Sequence, residues 1–296
     1  MVHLDGIFPP IPTPFDLQGD IAYPRLAENL EKWNAFDLSG YVVLGSNGEA
    51  VFLDTRERLR VLETARQAIP REKLLIAGTG SESTRATIAL TRQAAEVGAD
   101  AALVITPHFF GGKMRFDALV RHYQSVAESS PIPVVAYNVP KFTGVDMDAA
   151  TVARMAQHPN IIGIKDSSGN VAKLTDVVRL TSDAFQVLVG TASVLLAGLT
   201  VGAVGGVVAL GNVAPQQSID IFRLFQTGKI DEAAELQRRM LPVNVAVTAR
   251  FGVAGLKMAL DMLGYYGGPV RPPLLDLTGS ELQALRDILV AGGLLD

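Results

Sequence analysis

Short apolar segments alternate with stretches of helical periodicity from the start of the chain to about residue 225. The eight apolar segments are residues 6–14, 40–44, 74–78, 101–106, 134–139, 161–165, 187–190 and 203–210. Each is an almost continuous hydrophobic run, which is typical of a strand in a parallel sheet covered on both faces. Eight strand–helix alternations without a break in composition favour an α/β fold of the (β/α)8 TIM-barrel class over an open doubly wound sheet.

Amphipathic helices are predicted between the strands, for example at residues 56–68, 85–97, 116–128 and 149–157. Asp54 and Asp148 precede two of these stretches and have the short polar side chain that caps a helix. Beyond Thr227 the pattern predicts three further helices, at residues 231–246, 255–263 and 280–291. No linker or low-complexity stretch intervenes. We therefore predict a barrel over residues 1–226 and a C-terminal helical extension, residues 227–296, packed on the barrel.

The composition limits which partners and cofactors are expected. Of the 296 residues 48% are hydrophobic and 19% are charged, so the chain can bury a sizeable core. Lys and Arg number 26 against 30 Asp and Glu, which provides no basic field for nucleic acid or anionic lipid. The sequence has no cysteine, which excludes disulfides and Cys-ligated zinc, and its four histidines are scattered. We expect no metal, no cofactor and no nucleic-acid partner.

The sequence gives no indication of export or of a membrane segment. Residues 1–6 lack the basic stretch and following apolar segment of a signal peptide. The apolar run at residues 195–210 is interrupted by four glycines, whereas a membrane helix needs about 20 apolar residues. We interpret this run as a glycine-rich inner strand. The expectation is a cytoplasmic protein with no membrane partner.

Polar residues occur where three of the predicted strands end, and a barrel carries its chemistry at that face. Lys165 closes an apolar run, where an ammonium group is costly to bury. A desolvated lysine has a lowered pKa and can act as the free amine that Schiff-base chemistry requires. The alternative is a structural lysine that reaches solvent or pairs with Asp166. This segment alone leaves both interpretations open.

Tyr137 and the loop at residues 45–49 (Gly-Ser-Asn-Gly-Glu) are the other two polar positions. The phenol of Tyr137 can pass protons to a bound intermediate, or it can be a core tyrosine with its hydroxyl satisfied elsewhere. The loop offers backbone N–H groups, a hydroxyl and an amide that can bind a carboxylate or phosphate, although many such loops are only turns. It lacks the Gly-x-x-x-x-Gly-Lys-Ser/Thr pattern of a nucleotide-binding P-loop.

Together these segments resemble the dihydrodipicolinate synthase/N-acetylneuraminate lyase family of class I, lysine-dependent aldolases. The matching motifs are Gly-Ser-Asn-Gly-Glu at 45–49, Tyr-Asn-Val-Pro at 137–140 and Gly-Ile-Lys-Asp-Ser-Ser at 163–168. The resemblance covers essentially the whole chain. Within the family, the segments that look most like 4-hydroxy-2-oxoglutarate aldolase are residues 157–160, 204–207, 251–253 and 264–269.

The resemblance implies a role for particular residues of this chain. Lys165 would form a Schiff base with the ketone of pyruvate or another 2-oxo acid, and Tyr137 would shuttle protons. The turn at residues 46–47 would bind the 2-oxo acid carboxylate. The implied substrate-binding residues are Ser46, Asn47, Ser167 and Val207. Family members commonly form homotetramers built from two tight dimers, so the same assembly is expected here.

Two positions depart from the family pattern. The synthase subgroup has an arginine for the carboxylate of aspartate semialdehyde where this chain has Phe142, and a phenyl ring cannot replace that bidentate contact. Many members also supply a second tyrosine to the proton relay, where this chain has Phe109. His108 beside it is a candidate proton carrier, or it is a loop histidine without a role.

The leading interpretation is a lyase that cleaves a 4-hydroxy-2-oxo acid, with 4-hydroxy-2-oxoglutarate giving pyruvate and glyoxylate. The enzymatic alternatives are a dihydrodipicolinate (4-hydroxy-tetrahydrodipicolinate) synthase and a lyase or dehydratase for a sugar-derived 2-oxo acid. Phe142 counts against the synthase and indicates a less charged aldehyde. A non-catalytic, ligand-binding barrel is the alternative from another class. The presence of both Lys165 and Tyr137 argues against it.

Overall fold

Eight parallel strands in one sheet form the centre of the computed structural model, which describes residues 2–296. The strands are β1 (Gly6–Ile7), β2 (Gly40–Val43), β3 (Leu74–Gly78), β4 (Ala101–Ile105), β5 (Val134–Asn138), β6 (Ile161–Asp166), β7 (Gln186–Val189) and β8 (Gly205–Gly206). Their order in the sheet is β1-β8-β7-β6-β5-β4-β3-β2. A parallel bridge between Pro10 and Val42 joins the segment after β1 to β2 and closes the sheet. The predicted (β/α)8 barrel is confirmed.

Helices follow the strands and cover the outside of the barrel. The barrel helices are α1 (Tyr23–Asn34), α2 (Thr55–Ala68), α3 (Thr84–Val97), α4 (Phe116–Ser129), α5 (Pro140–Thr143), α6 (Ala149–Met155), α7 (Val171–Leu180), α8 (Leu195–Thr200), α9 (Leu210–Val213) and α10 (Pro215–Gln226). Asp54 and Asp148 cap α2 and α6 as predicted, since each carboxylate accepts a backbone N–H bond from the first turn of its helix. Both caps could be read from the sequence.

The first strand is much shorter than the predicted segment of residues 6–14. Only Gly6–Ile7 pairs with β8 as a strand, in the register Gly6 to Gly205. Four prolines follow, at positions 9, 10, 12 and 14. A proline has no N–H group to donate to a neighbouring strand, so the continuation of β1 makes isolated hydrogen bonds instead of a ladder.

The apolar run at residues 195–210 is not the continuous inner strand that the sequence predicted. It forms helix α8, a turn at Gly202 with a φ of 106°, and then the two-residue strand β8. An apolar run alone does not distinguish a buried helix from a buried strand, which explains the error. Within residues 2–296 no helix is both long enough and apolar enough to span a membrane.

Large apolar side chains fill the inside of the barrel in a cluster separate from the outer core. The members of this inner cluster are Leu4, Phe8, Val42, Ile76, Ala101, Leu103, Val135, Tyr137, Val139, Leu188 and Val207. Such layers of inward-pointing side chains make the barrel a packed core and not a pore. Along the barrel axis, space for a ligand therefore lies above the cluster, at the carboxyl ends of the strands.

The C-terminal part of the chain is helical and packs on the barrel. Its helices are α11 (Ile230–Val245), a π-helical segment (Ala246–Arg250), α12 (Gly252–Met262) and α13 (Gly279–Ala291). Leu256 on α12 and Leu285 on α13 are fully buried in the same core cluster as side chains of the barrel helices. We retain as a proposal the division into a barrel, residues 1–226, and an extension, residues 227–296.

His122 on α4 generates a prediction about stability and pH. Its side chain is buried, its Nδ1 lies 2.9 Å from the hydroxyl of Thr84, and burial lowers its pKa to about 4. Below pH 6.5 the unfolded chain binds a proton that the folded chain does not, so the free energy of unfolding falls as the pH drops toward 4. From pH 6.5 to pH 5 this histidine alone lowers the free energy of unfolding by about 1.6 kcal/mol.

Urea denaturation of the parent and of His122→Gln at the two pH values measures the effect. The loss of stability on acidification should be smaller in His122→Gln, because glutamine does not titrate. His3→Gln is the matched control, since His3 is exposed. An equal loss in the parent and in both variants would contradict the assignment.

Candidate active site

The ends of β2, β5 and β6 bring the three predicted polar segments together at one face of the barrel. The short turn Ser46–Gly48 follows β2, while Tyr137 and Lys165 lie on β5 and β6. In the parallel pairing of these two strands Tyr137 is the register partner of Lys165, and Asn138 is the partner of Asp166. The phenol and the amine are thereby placed side by side by the sheet itself.

Lys165 is buried, with 3% of its surface exposed. Its Nζ lies 4.0 Å from the centroid of the Tyr137 ring, and within residues 2–296 no carboxylate forms an ion pair with it. A buried cation without a carboxylate partner is costly. The Lys165 amine is therefore buried without the partner that a charged lysine requires.

Asp166 does not pair with Lys165, although the two are adjacent in sequence. Successive side chains of a strand point to opposite faces, so Asp166 is directed away from Lys165. Its carboxylate lies 2.9 Å from Nζ of Lys173 and accepts hydrogen bonds from the amide of Asn138, at 2.8 Å, and from Ser168. The lysine–aspartate pair considered as an alternative from the sequence is absent from the described chain.

The hydroxyl of Tyr137 lies 3.3 Å from the hydroxyl of Ser46, and either can be the donor. Tyr137 is itself buried, with 4% of its surface exposed. The two oxygens form a short chain from β5 to the turn after β2. Such a chain can carry a proton between a bound intermediate and the turn.

A buried ion pair, which the sequence did not predict, fixes the position of the Ser46–Gly48 turn. Glu49 follows the turn with a φ of 53°, and its carboxylate lies 2.5 Å from Nζ of Lys257 on α12. The backbone N–H of Arg271 donates to the same carboxylate at 2.8 Å. Burial lowers the pKa of Lys257, and the charge of Glu49 opposes that shift. The C-terminal helices thus fix the position of the turn.

Ser167 lies at the wall formed by β6 and β7. Its backbone N–H donates to the carbonyl of Asn138 at 2.8 Å, and its hydroxyl donates to the carbonyl of Gly190 at 3.3 Å. A Cβ at Gly190 would lie only 2.0 Å from the Ser167 hydroxyl, so the glycine leaves room for this side chain. Val207, after β8, is buried and closes the wall.

A cavity of about 360 Å³ lies between these side chains. The predicted site residues that line it are Ser46, Asn47, Tyr137, Lys165, Ser167 and Val207. We name it the inner cavity. An outer cavity of about 600 Å³ adjoins it and is lined mainly by apolar side chains, with His108 at one edge. Phe142 and Lys141 line both cavities.

His108 and Phe109, the candidate relay residues, do not reach Tyr137 within the described chain. Nδ1 of His108 lies 2.8 Å from the carboxylate of Glu82. Phe109 is 77% exposed, and its ring contacts that of Phe110 edge to face at 5.0 Å between centroids. In this arrangement Ser46 is the hydroxyl partner of Tyr137, and a role of His108 or Phe109 stays a prediction.

Metal-binding side chains are not grouped in this fold. Among residues 2–296 no three His, Asp or Glu side chains are placed to hold one metal ion together. The chemistry available at the inner cavity is that of two amines, several hydroxyls and one amide.

A buried, unpaired lysine at the carboxyl end of a barrel strand, beside a tyrosine and a polar turn, defines a class I, lysine-dependent aldolase. The sequence profile of the dihydrodipicolinate synthetase family matches residues 3–291. The chain belongs to this family, and it is therefore an enzyme that uses a lysine Schiff base with pyruvate.

Individual relatives match along nearly their whole length. The 4-hydroxy-tetrahydrodipicolinate synthase of Methanothrix thermoacetophila is 39% identical over 285 residues, which cover 96% of this chain and 95% of the relative. The dihydrodipicolinate synthase DapA-2 of Bacillus anthracis superimposes with a TM-score of 0.94 at 31% identity, covering 98% and 99% of the two chains. YagE of Escherichia coli K12, solved in complex with pyruvate, gives a TM-score of 0.92 at 31% identity, covering 99% and 100%.

The predicted main activity, cleavage of 4-hydroxy-2-oxoglutarate, is wrong. Curated relatives between 32% and 39% identical are named 4-hydroxy-tetrahydrodipicolinate synthase, which agrees with the alternative interpretation. Two of the four segments that suggested the other activity, residues 157–160 and 264–269, have packing roles. A Cβ at Gly267 would lie 1.9 Å from the carbonyl of Lys257, and the Tyr266 hydroxyl donates to the Phe15 carbonyl. The Asn160 amide donates to three carbonyls. Residues 157–160 and 264–269 line neither cavity, whereas Val207 and Gly252 of the other two segments line the inner cavity.

The buried pair of Glu49 and Lys257 leads to a stability prediction. Removing one charge leaves the other buried and uncompensated, so Lys257→Met should lower the free energy of unfolding by about 3–5 kcal/mol. Glu49→Gln combined with Lys257→Met should cost less than the sum of the two single variants, because neither charge then remains. Denaturant unfolding of all four proteins measures this coupling. Strict additivity would show that the pair contributes no interaction energy.

Proposed function

We propose that the protein condenses pyruvate with an aldehyde through a Schiff base on Lys165, as expected of a 4-hydroxy-tetrahydrodipicolinate synthase. The observation that carries the proposal is the burial of the Lys165 amine, without a carboxylate partner, at the base of the inner cavity. The names of the curated relatives and the pyruvate bound by YagE support the same substrate.

The chemistry follows from the amine. Nζ of Lys165 attacks the ketone carbon of pyruvate, and loss of water leaves a protonated imine. Loss of a methyl proton then gives a neutral enamine, whose carbon attacks the aldehyde carbon while the aldehyde oxygen takes up a proton. Attack on the imine carbon by water, or by an amine of the second substrate, releases Lys165. The enamine replaces a high-energy carbanion, which is the energetic advantage of the lysine.

Tyr137 and Ser46 are proposed as the proton carriers of these steps. The Tyr137 ring contacts the Lys165 amine, and its hydroxyl lies 3.3 Å from that of Ser46. A proton lost at the carbinolamine can therefore pass along this pair and return to the aldehyde oxygen.

Ser46 and Asn47 are proposed to bind the pyruvate carboxylate. Both line the inner cavity and lie in a turn whose first N–H groups have no acceptor within the turn. The hydroxyl, the amide and these N–H groups can all donate to a carboxylate. The pair of Glu49 and Lys257 holds the turn in place for this contact.

We assign Ser167 and Val207 to the wall of the inner cavity that contacts the second substrate.

We also propose that the protein forms a homotetramer of two dimers. Apolar side chains that are exposed near the outer cavity support this assembly. Phe109 is 77% exposed and Phe110 is 70% exposed, and such patches commonly mark protein interfaces.

Phe142 favours a second candidate function, a lyase or dehydratase for a sugar-derived 2-oxo acid. It is 58% exposed at the mouth of both cavities and offers the second substrate no hydrogen bond. An apolar ring at this place suits an uncharged aldehyde better than an anionic one.

Trapping with borohydride tests the proposal. Reduction in the presence of pyruvate should add one reduced pyruvyl group to the parent protein, and peptide mapping should locate it on Lys165. Lys165→Ala should show no adduct. Tyr137→Phe should still be trapped at Lys165, but its kcat should fall by about 10²-fold or more, because its loss affects proton transfer. Absence of an adduct in the parent at saturating pyruvate would refute the proposal.

A comparison of aldehydes distinguishes the two candidate functions. With pyruvate fixed at saturation, we expect kcat/KM for aspartate 4-semialdehyde to exceed that for the uncharged glyceraldehyde by about ten-fold or more, which corresponds to about 1.4 kcal/mol. A coupled assay of pyruvate consumption gives both values. The opposite preference would establish the second candidate.

A further inference from the structure

Only two charged side chains line the inner cavity, and both are lysines. Lys165 lies at its base and Lys141 at its mouth, and none of the described residues that line it is an aspartate or a glutamate. The nearest carboxylate in sequence, that of Asp166, is occupied by Lys173, Asn138 and Ser168. The cavity is therefore an electropositive space that favours anions.

Of these two lysines, Lys141 is the one whose ammonium group remains available to bind a ligand. It belongs to the four-residue helix α5, is exposed, and makes no ion pair in residues 2–296. Its Nζ donates to the carbonyl of Thr248 at 3.3 Å, which is a long hydrogen bond, and lies 5.4 Å from the centroid of the Phe142 ring. A contact this weak is readily exchanged for one with an anion.

Hydrogen bonds fix the backbone around Lys141. The hydroxyl of Thr143 donates to the carbonyls of Val139 and Val145, and Gly144 ends the helix with a φ of 64°. Thr248 lies in the π-helical segment Ala246–Arg250, an element that is frequent at functional sites. A fixed backbone with an exposed and weakly bonded ammonium group suits the capture of a ligand at the mouth.

The first substrate does not neutralise the charge of Lys141. In the proposed function, which this inference rests on, the pyruvate carboxylate is bound by the Ser46–Asn47 turn, and its charge is balanced by the iminium on Lys165. The second substrate enters past Lys141, which lines both the outer and the inner cavity. We infer that Lys141 binds the carboxylate of the incoming aldehyde and so makes the enzyme selective for acceptors that carry a carboxylate.

Kinetics of charge variants test this inference. Lys141→Gln should raise KM for aspartate 4-semialdehyde about ten-fold and leave KM for pyruvate and for glyceraldehyde within two-fold. Lys141→Arg retains the charge and should stay within three-fold of the parent for all three. Added salt screens the contact between Lys141 and the carboxylate, so it should raise KM for aspartate 4-semialdehyde in the parent, but much less in Lys141→Gln.

Lys229→Gln is the matched control, because it removes the same charge at the other end of α11, a helix of 16 residues and roughly 24 Å. Equal changes for charged and uncharged aldehydes in Lys141→Gln would show that Lys141 only holds the π-helical segment, and would overturn the inference. Borohydride trapping of each variant separates the two proposals. A normal adduct with unchanged selectivity refutes only the role of Lys141, whereas no adduct in the parent refutes the proposed function as well.

Discussion

The site depends on an amine that is buried without a carboxylate beside it. Lys165 is surrounded by the strands of the barrel, and the alternation of side chains along β6 sends the neighbouring Asp166 to the other face. A shift of β6 by one residue would exchange the two faces and put a carboxylate in the cavity. The pairing of β6 with β5 fixes that register and also places Tyr137 next to Lys165. Strand register thus controls whether the amine of Lys165 or the carboxylate of Asp166 faces the cavity.

The C-terminal helices have a direct connection to this site. The turn that bears Ser46 is followed by Glu49, whose left-handed backbone and buried carboxylate are matched by Lys257 on α12. A buried ion pair seldom maximises the stability of a fold, since two apolar side chains of similar size often give equal or greater stability. Its geometric requirement is strict, however, because either charge alone would be costly. The pair therefore gives a fixed position to the turn, and this explains why helices outside the barrel are needed.

Much of the fold and of the site could be predicted from the sequence, because both depend on local patterns. Apolar runs of the right length identified the strands, and a lysine at the end of one of them identified the most informative side chain. The helix α8 was mistaken for strand because its apolar residues have no visible period. Lys257 was overlooked because its partner Glu49 is more than 200 residues away in sequence, and only the fold brings the two together.

The second substrate was harder to predict for a related reason. The residues proposed to bind pyruvate lie on strands and in one turn. There a short sequence motif specifies both which side chain is present and where the fold places it. The mouth of the cavity is formed by α5 and by the π-helical segment, which are distant in sequence and meet at Lys141 and Thr248. Phe142, taken alone, indicated an uncharged aldehyde. Beside it the structure places an unpaired ammonium group, and in a cavity without acidic side chains that charge outweighs the adjacent ring. Specificity at this mouth is a property of the assembled surface and not of any single motif.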